Sequence, residues 1–566
     1  MYVDIVPNRK SRPAILIREA WREGGKIKKR TVANISDWPM EKVEALRRVL
    51  RDEGVSAGTE PQNFVIERSL PHGQVAAVLG TIKNLGLDKM ISSRPCRERE
   101  LVVAMIAERL IHPCSKLATT RLWHSTTLAE ELSVQDADED ELYSAMDWLY
   151  SRQSRIENKL AKRHLHDGSR VLYDATSSYY EGSTCPLAEF GHNRDGKRGK
   201  QIIVYGVLTD EEGRPVSVDV YPGSTGDPTT VPDQVEKLRK RFGLERVVLV
   251  GDRGMVTNTQ LEKLREYPGL GWISALRSGA VRELVEQSAI QPSLFDEQNL
   301  AEIKSPDYPD ERLVVCYNPL LADERSRKRD ELLAETEKEL GRIQREVKRR
   351  TKKVLTKDEI GFKAGKVINR FKVGKHFKLE IDDGSFSFWR DEEAIAGERA
   401  LDGIYVVRTS ERQDELPPED AVRTYKGLSS VERLFRTMKG LDILVRPIHH
   451  REPRRVRTHI FICMLAYYVE WHMRKELAPL LFDDECINPQ RDPVAPAKPS
   501  EHAQAKRQKR TTEDGLPLHS FDTLVAELGT LCKNQCRFPE DKNLPPIQKE
   551  TEKTKLQSKA FNLLGL

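Results

Sequence analysis

Asp174 in LYDAT, Asp252 in LVGDRG and Glu432 in YKGLSSVERLFRTMK are the side chains whose type and setting carry the most chemistry. Each aspartate closes an apolar, β-prone run, where a charge needs a partner, a cap or a metal. Glu432 lies on a strongly helical, basic stretch. Three carboxylates that converge from separate elements raise one another's pKa unless cations compensate. A divalent metal is then the natural occupant, and all-oxygen ligation favours Mg2+ or Mn2+. Two such ions can activate and stabilise in-line attack at a phosphodiester.

Each acid also has a plainer use. Asp174 can cap a turn near Thr176 and Ser177, and Asp252 can stabilise the turn set by Gly251 and Gly254. Ser429-Ser430-Val431-Glu432 fits a capping box, which would start a helix at about Ser430 and make Glu432 structural. The spacing argues the other way. Tyr425, Glu432 and Lys439 are seven residues apart, so in a continuous helix they share one face. Gly427 is where such a helix would break, leaving Glu432 and Lys439 aligned without Tyr425. Arg436 lies one turn from both Glu432 and Lys439, Arg433 adjoins the acid, and Arg253 follows Asp252. An acid with basic groups on its face suits a phosphate backbone lying across it. His164 and His166, in RHLHDG, fit a structural role better than a metal role.

The elements that must position these residues follow from pattern. Residues 12–34 read as a β-hairpin, AILIREAW and KIKKRTVANI flanking Gly24-Gly25. Its second strand mixes Ile27 and Val32 with Lys28, Lys29 and Arg30, so one face can pack while the other meets phosphate; a solvated edge strand is the competing reading. Residues 40–165 repeat apolar side chains at three and four, which predicts helices. From Ser169 the pattern changes. SRVLYDAT, KQIIVYGVLTD and PVSVDVYPG predict a three-stranded meander, then TTVPDQVEKLRKRFG a helix, RVVLVGD a fourth strand, NTQLEKLREY a helix and GWISALR a fifth strand. This is the order of an RNase H-like core, with Asp174 on the first strand and Asp252 on the fourth. The ~120 residues that follow read as an insertion. It contains a charged helix over 323–355, with Leu333, Leu340, Val347 and Val354 at sevens and Ile343 between, and a hairpin turning at Asp383-Gly384. LDGIYVVRTS predicts a strand returning to the core, and RVRTHIFICMLAYYVEWHM a helix buried nearly all round.

The domain expectation is therefore a basic β-hairpin and helix over 1–60, a helical, DNA-end-binding domain over 61–168, and a core in two parts, 169–280 and 401–480. An α+β insertion with a long charged helix and a hairpin fills 281–400, and a linker, a helix and a weakly ordered tail fill 481–566. The fold class is α/β: a mixed five-stranded sheet flanked by helices, interrupted by the insertion and preceded by the hairpin and helical domain.

Length, charge and cysteine content bound the partners. The chain has 566 residues, too many for one core. Net charge is only +5, but residues 1–30 carry nine Lys or Arg against three acids, and residues 342–375 thirteen against three. Such patches neutralise phosphates and release counterions. Mean hydropathy is −0.58, the apolar run Ile460–Val469 is too short to span a bilayer, and MYVDIVPNRKSR has no apolar signal core. No membrane role and a cytoplasmic, nucleoid-associated location are the expectation. Eight sparse cysteines, with only Cys532 and Cys536 close together, read as free thiols.

On these residues the stretch from Val171 to Lys475 resembles the bacterial insertion-sequence transposases of the DDE type, with an RNase H-like catalytic core. Their signature Y-x2-R-x3-E-x6-K is matched at Tyr425, Glu432 and Lys439, while Leu428 stands in the arginine's place; that role is absent or passes to Arg433 or Arg436. The stretch from Phe190 to Asp227 also looks like the segment joining the first strands, and the 180 residues between Asp252 and Glu432 accommodate the family's insertion. The resemblance implies that Asp174, Asp252 and Glu432 bind two Mg2+ (or Mn2+) ions. Water then cleaves at the element's terminal inverted repeats, and the freed 3′-hydroxyl attacks target DNA. It implies that Tyr425, Lys439 and their basic neighbours, Arg253 included, hold DNA phosphates, and that a homodimer acts on paired ends. A non-catalytic DNA-binding descendant and a metal nuclease without strand transfer are the alternatives.

Overall fold

The computed structural model describes residues 1–8, 13–23, 26–50, 65–295, 299–486, 488, 491–495, 498–537 and 545–566; the expected Gly24-Gly25 turn lies outside them. Two units emerge, Met1–Ser69 with Asn534–Glu550, and Leu70–Lys533 with Thr551–Leu566.

In the first unit Ala14–Glu23 pairs antiparallel with Lys26–Asn34, as the alternating sequence requires, and also with Tyr2–Val6, a third strand. Val3, Ile15 and Ile35 pack with Val43 of the helix Met40–Leu50 in a small core. The expectation of one packed and one basic face on Lys26–Asn34 does not hold. Ile27 and Val32 are exposed alongside Lys28, Lys29 and Arg30, because the helix covers the Tyr2–Val6 side.

The second unit begins with the expected helices, among them Gly73–Asn84, Arg97–Ile111, Glu139–Tyr150 and Gln153–His164. Its organising feature is one mixed sheet. We number its strands β1 (Arg170–Tyr179), β2 (Ile202–Thr209), β3 (Pro215–Pro222), β4 (Val247–Val250), β5 (Leu270–Ala275), β6 (Leu300–Ile303), β7 (Arg312–Tyr317) and β8 (Ile404–Thr409). Their order is β6-β7-β8-β5-β4-β1-β2-β3. The meander β1-β2-β3 is antiparallel, β4 and β5 run parallel to β1, and β8 returns antiparallel to β5. The anticipated five strands form a contiguous set, but the sheet has eight. Two of the added strands, β6 and β7, come from the span expected to be insertion. The apolar run RLVVCY of β7 is buried, and it pairs the open edge that β8 would otherwise present.

The rest of that span is as the pattern suggests. Helix α1 (Pro319–Arg349) packs on α2 (Lys357–Phe371) through Leu333, Leu340, Ile343, Val347, Ile360 and Ala364. Val354, the last of the heptad positions, falls beyond α1 and is exposed. The hairpin Phe377–Asp382/Ser385–Arg390 turns at Asp383-Gly384, where Gly384 takes φ +73°, a conformation that glycine adopts without strain.

Helices α3 (Pro418–Lys426) and α4 (Leu428–Lys439) then lead to α5 (Pro453–Leu477), in which residues 458–470 are buried without a break. Among the described residues no helix is long and apolar enough to cross a membrane. The expected helix is Phe521–Leu528, while the expected linker and weakly ordered tail contain, where described, the helices Glu501–Lys509 and Lys555–Leu563. Leu556, Ala560, Phe561 and Leu564 are buried in the main core, and a Thr554/Gln557 capping box starts the last helix. A single short apolar stripe gives too weak a periodic signal to identify such a helix from sequence.

Candidate active site at the carboxyl end of the central strands

The two aspartates meet because of strand register. β1 and β4 are parallel, with Leu172 opposite Val250. Asp174 lies two residues further along β1 and Asp252 two residues beyond the end of β4, so both aspartates follow the same paired step at the carboxyl end of the parallel pair. The apolar runs RVLY and VVLV bury both strands and so fix the register.

Electrostatics report the same closeness. Burial pushes the Asp174 carboxyl up to about 7, and the Asp252 charge adds to the rise; the Ala175 amide and Arg194 oppose it. Asp174 Oδ1 accepts the Ala175 N–H at 2.8 Å. Asp252 Oδ1 accepts the N–H groups of Gly254 and Met255 at 2.9 and 2.8 Å, so the turn-stabilising use is real. It occupies one oxygen; Asp252 Oδ2, like Asp174 Oδ2, makes no hydrogen bond among the described residues.

Glu432 approaches on α4, whose Val431, Leu434, Phe435 and Met438 are buried while Glu432, Arg433 and Arg436 face outward. The capping-box reading fails here. α4 begins at Leu428, no side chain caps it, and Ser430 Oγ donates back to the Gly427 carbonyl at 2.7 Å. The reason is Gly427, which keeps right-handed helical angles (φ −56°, ψ −23°); the chain passes from α3 into α4 without the extended residue that an N-cap needs. Glu432 is thereby left with no hydrogen bond or ion pair among the described residues. Tyr425 lies on the acid side of this near-continuous pair. Its phenol is pushed up to about 12, first by burial and then by Asp252 and Glu432. Among the described residues no three acids, histidines or cysteines close around one point as a finished metal cage. Asp174 and Asp252 adjoin, and Tyr425 feels both Asp252 and Glu432.

Lys439 is placed differently. Its ammonium donates to Thr176 Oγ1 at 2.8 Å and to the Ser177 carbonyl at 2.5 Å, and lies 3.1 Å from Asp195 Oδ1. Burial lowers its pKa, with Asp195 opposing. Asp195 is itself buried, accepts the Tyr179 N–H at 3.0 Å and also meets Arg446 at 2.5 Å. Lys439 thus ties α4 to the strand that carries Asp174. Arg194, beside Asp195, pairs with Asp227, and both act on the Asp174 carboxyl. Asp195, Arg446, Arg194 and Asp227 are the residues that sequence reasoning missed. They sit on loops without periodicity, and the only hint was the charge density of GHNRDGKRGK.

Arg253, Arg433 and Arg436 make no ion pair among the described residues. Arg253 opens a groove of about 760 Å³ shared with Arg282 and with Arg325, Lys328, Lys372 and Lys375 from α1 and the chain after α2. The basic face of the expected insertion therefore runs up to the residue beside Asp252. His164 donates to or accepts from the Tyr468 hydroxyl at 2.9 Å in a buried cluster, a structural use.

The donor set suits a hard divalent cation: oxygen only, two carboxylates already side by side, one of them held partly protonated by burial and its neighbour's charge.

Comparison with known proteins agrees with this chemistry. A family described as "Transposase DDE domain" matches residues 165–469, more than half of the chain. A second, "IS1634 family transposase, N-terminal domain", matches residues 3–60. No curated protein matches. Among solved structures, a piggyBac transposase synaptic complex with hairpin DNA is similar at a TM-score of 0.32 and 10% identity, over 83% of this chain and 78% of that one.

Proposed function

The chain belongs to the DDE-domain transposases, and we propose that Asp174, Asp252 and Glu432 are the carboxylates with which it acts on DNA. That it is a DNA transposase of the insertion-sequence type follows from the family; the residues and their roles are our reading. The observation that carries it is the parallel register of β1 and β4, which brings Asp174 and Asp252 side by side.

The sheet order supports an RNase H-like core at the finer level, because β3-β2-β1-β4-β5 is an uninterrupted part of it, with Asp174 on its first strand and Asp252 two residues beyond the end of its fourth. Transposases of this type use divalent metal ions. Here Asp174, Asp252 and Glu432 would hold them, two Mg2+ or Mn2+ ions in our proposal, and the bound ions supply Lewis acidity at the attacked phosphodiester and at the attacking oxygen. The chain's own residues do the rest. The hydrogen bonds from Gly254 and Met255 fix the Asp252 carboxylate, and the Ala175 amide fixes that of Asp174. Lys439 and Asp195 hold α4, the helix that carries Glu432, against β1. Tyr425, Arg253, Arg433 and Arg436 border the acids and would bind DNA phosphates. The basic groove beyond Arg253 offers the same DNA a continuing path. Hydrolysis at the terminal inverted repeats frees a 3′-hydroxyl, which then joins target DNA. A homodimer on paired ends completes the proposal, and light scattering with and without end DNA measures it.

The test is a plasmid carrying the element's ends, incubated with the full chain and Mg2+ or Mn2+. Wild type is expected to cut the ends and join them to a target, and Asp174→Ala, Asp252→Ala and Glu432→Ala to do neither. Undiminished cutting in all three variants would refute the assignment. Cutting without joined product would make the protein a nuclease of the same chemistry.

A further inference from the structure

A second site of charge lies away from the carboxylates. The helix Arg97–Ile111, the segment 114–116 and the loop 444–452 enclose a cavity of about 520 Å³, lined by Arg109, Lys116, Arg446, Arg451, Arg455 and His450 among others. Only one acid, Glu452, is on its wall, and it is exposed at the rim.

Two of the cations are deeply buried. Lys116 is 4% exposed and Arg109 5%. Lys116 makes no hydrogen bond or ion pair among the described residues. The Arg109 guanidinium is aimed by backbone alone, donating to the carbonyls of Cys114 at 2.8 Å, Leu444 at 3.3 Å and Ile443 at 3.4 Å. Arg455 is answered by Asp147 at 3.0 Å and Arg446 by Asp195 at 2.5 Å, which leaves the charges of Lys116 and Arg109 without a carboxylate in contact. Burial, with Arg109 beside it, lowers the Lys116 ammonium to about 7, and burial raises the adjoining Glu108 carboxyl to about 7, so an anion in the cavity would also draw a proton onto Lys116. The cavity also holds His459. Its Nε2 bonds the Val445 carbonyl at 2.9 Å, and its buried Nδ1 has no partner among the described residues.

A buried cation without a counter-charge costs folding energy. Folding alone would favour an apolar residue at 116. An anion in the cavity reverses that balance, with Lys116 as a point donor, Arg109 as a fork held in place, and His459 as a further polar wall. The volume suits a single nucleotide unit and excludes a duplex. Position narrows the anion further. The loop 444–452 is hydrogen-bonded to the end of β1, Ile448 pairing with Tyr180, six residues along the chain from Asp174. Arg446 belongs to both places: it lines the cavity, contacts Asp195 and donates to the Lys439 carbonyl at 3.0 Å.

We propose that this cavity is a phosphodiester-binding pocket that takes one unpaired nucleotide of the DNA substrate, Lys116 and Arg109 gripping its phosphate. The proposal rests on the transposase reading for its ligand, and its test does not depend on cleavage. The full chain, without metal, is titrated calorimetrically with a single-stranded trinucleotide, with the same trinucleotide carrying neutral methylphosphonate linkages, and with inorganic phosphate. The natural trinucleotide is expected to bind, the neutral one not to, and inorganic phosphate to bind more weakly. Lys116→Met, which keeps the side-chain length and removes the charge, is expected to weaken the natural trinucleotide about tenfold or more. Arg451→Ala, at the exposed rim and with no packing at stake, is expected to weaken it less. Equal binding of neutral and natural trinucleotides, or unchanged binding in a folded Lys116→Met variant, would overturn the proposal. Inorganic phosphate binding as tightly as the trinucleotide would mean a pocket for free phosphate, which also overturns it. The titration involves neither metal nor cleavage, and the carboxylates are tested by cleavage alone, so failure of the pocket and failure of the catalytic assignment are read in separate assays.

Discussion

The carboxyl edge of the sheet and the cavity under the loop 444–452 are opposites built by one rule. At the sheet edge, negative side chains are brought together, and burial first and Asp252 second push the Asp174 carboxyl up to about 7. In the cavity, positive side chains are brought together, and Lys116 is left without a carboxylate in contact. Between them lies the Lys439–Asp195–Arg446 network, in which two cations share one buried carboxylate and each has an opposite charge in contact. Like charges held together repel, and unpaired charges buried in protein cost stability. The two regions of like charge are therefore what a ligand of opposite sign would stabilise, a divalent cation in one and a phosphate in the other, while the paired network between them is what folding alone would select.

The largest effect tests the negative region. Asp174→Ala, Asp252→Ala and Glu432→Ala should each lower metal-dependent cleavage by on the order of 10³-fold or more, because several kcal/mol of transition-state stabilisation are at stake. The melting temperature of Asp174→Ala should stay level or rise, since no charge is left unpaired. A clear fall in stability would make this aspartate structural.

The paired network should behave in reverse. Lys439→Met leaves Asp195 paired with Arg446 but strips the donor from Thr176 Oγ1 and the Ser177 carbonyl, and should cost about 1–3 kcal/mol, read by thermal or denaturant melting. If that variant melts like wild type while losing DNA affinity, then Lys439 serves DNA more than the fold, and the contrast between the regions collapses.

A buried acid with a partner gives a calibration. Burial raises Glu470 from 4.5 to about 7, with Arg474 opposing. The folded protein then keeps a proton that the unfolded chain releases at lower pH. The stabilisation is complete below pH 4.5 and is lost as pH rises through about 7. Glu470→Gln should flatten the stability profile across that window by on the order of 2 kcal/mol. An unchanged profile would mean that burial at this helix does not shift the acid.

Smaller effects concern the positive surfaces. Lys116→Met should stabilise the unliganded protein by roughly 1–2 kcal/mol, since a buried amine whose charge burial disfavours is replaced by an apolar chain; destabilisation would show that Lys116 is compensated in place. Reversing Arg325, Lys328, Lys372 and Lys375 should reduce the salt dependence of DNA binding, by about 0.9 in log–log slope for each phosphate that is no longer neutralised. An unchanged slope would leave α1 and α2 as a structural arm.

Much of the positioning was legible in the sequence because it rests on short-range signals. The apolar runs ending at Asp174 and Asp252, the meander that begins with the first of them, the heptad side chains of α1 and the all-round apolar stretch of α5 each announce an element through local periodicity. The strands β6 and β7 were not legible in the same way. A four-residue strand and an apolar run inside a long charged segment acquire their meaning only from the open edge that they cover. The capping box at Ser430 was a local pattern that the backbone of Gly427 overrode.

By itself, the sequence determined which apolar runs lead into which acids and that Glu432 and Lys439 lie two turns apart on a helix. Only the tertiary structure decided how they are used. The parallel register of β1 and β4 turns two separate aspartates into neighbours, and Asp195, brought in on a loop, claims Lys439 while Glu432 stays unpaired among the described residues. The cavity joins Arg109 and Lys116 to a loop more than 300 residues later. Helix and strand signals act over a few residues, whereas the burial and pairing of a charge depend on whatever the fold sets against it.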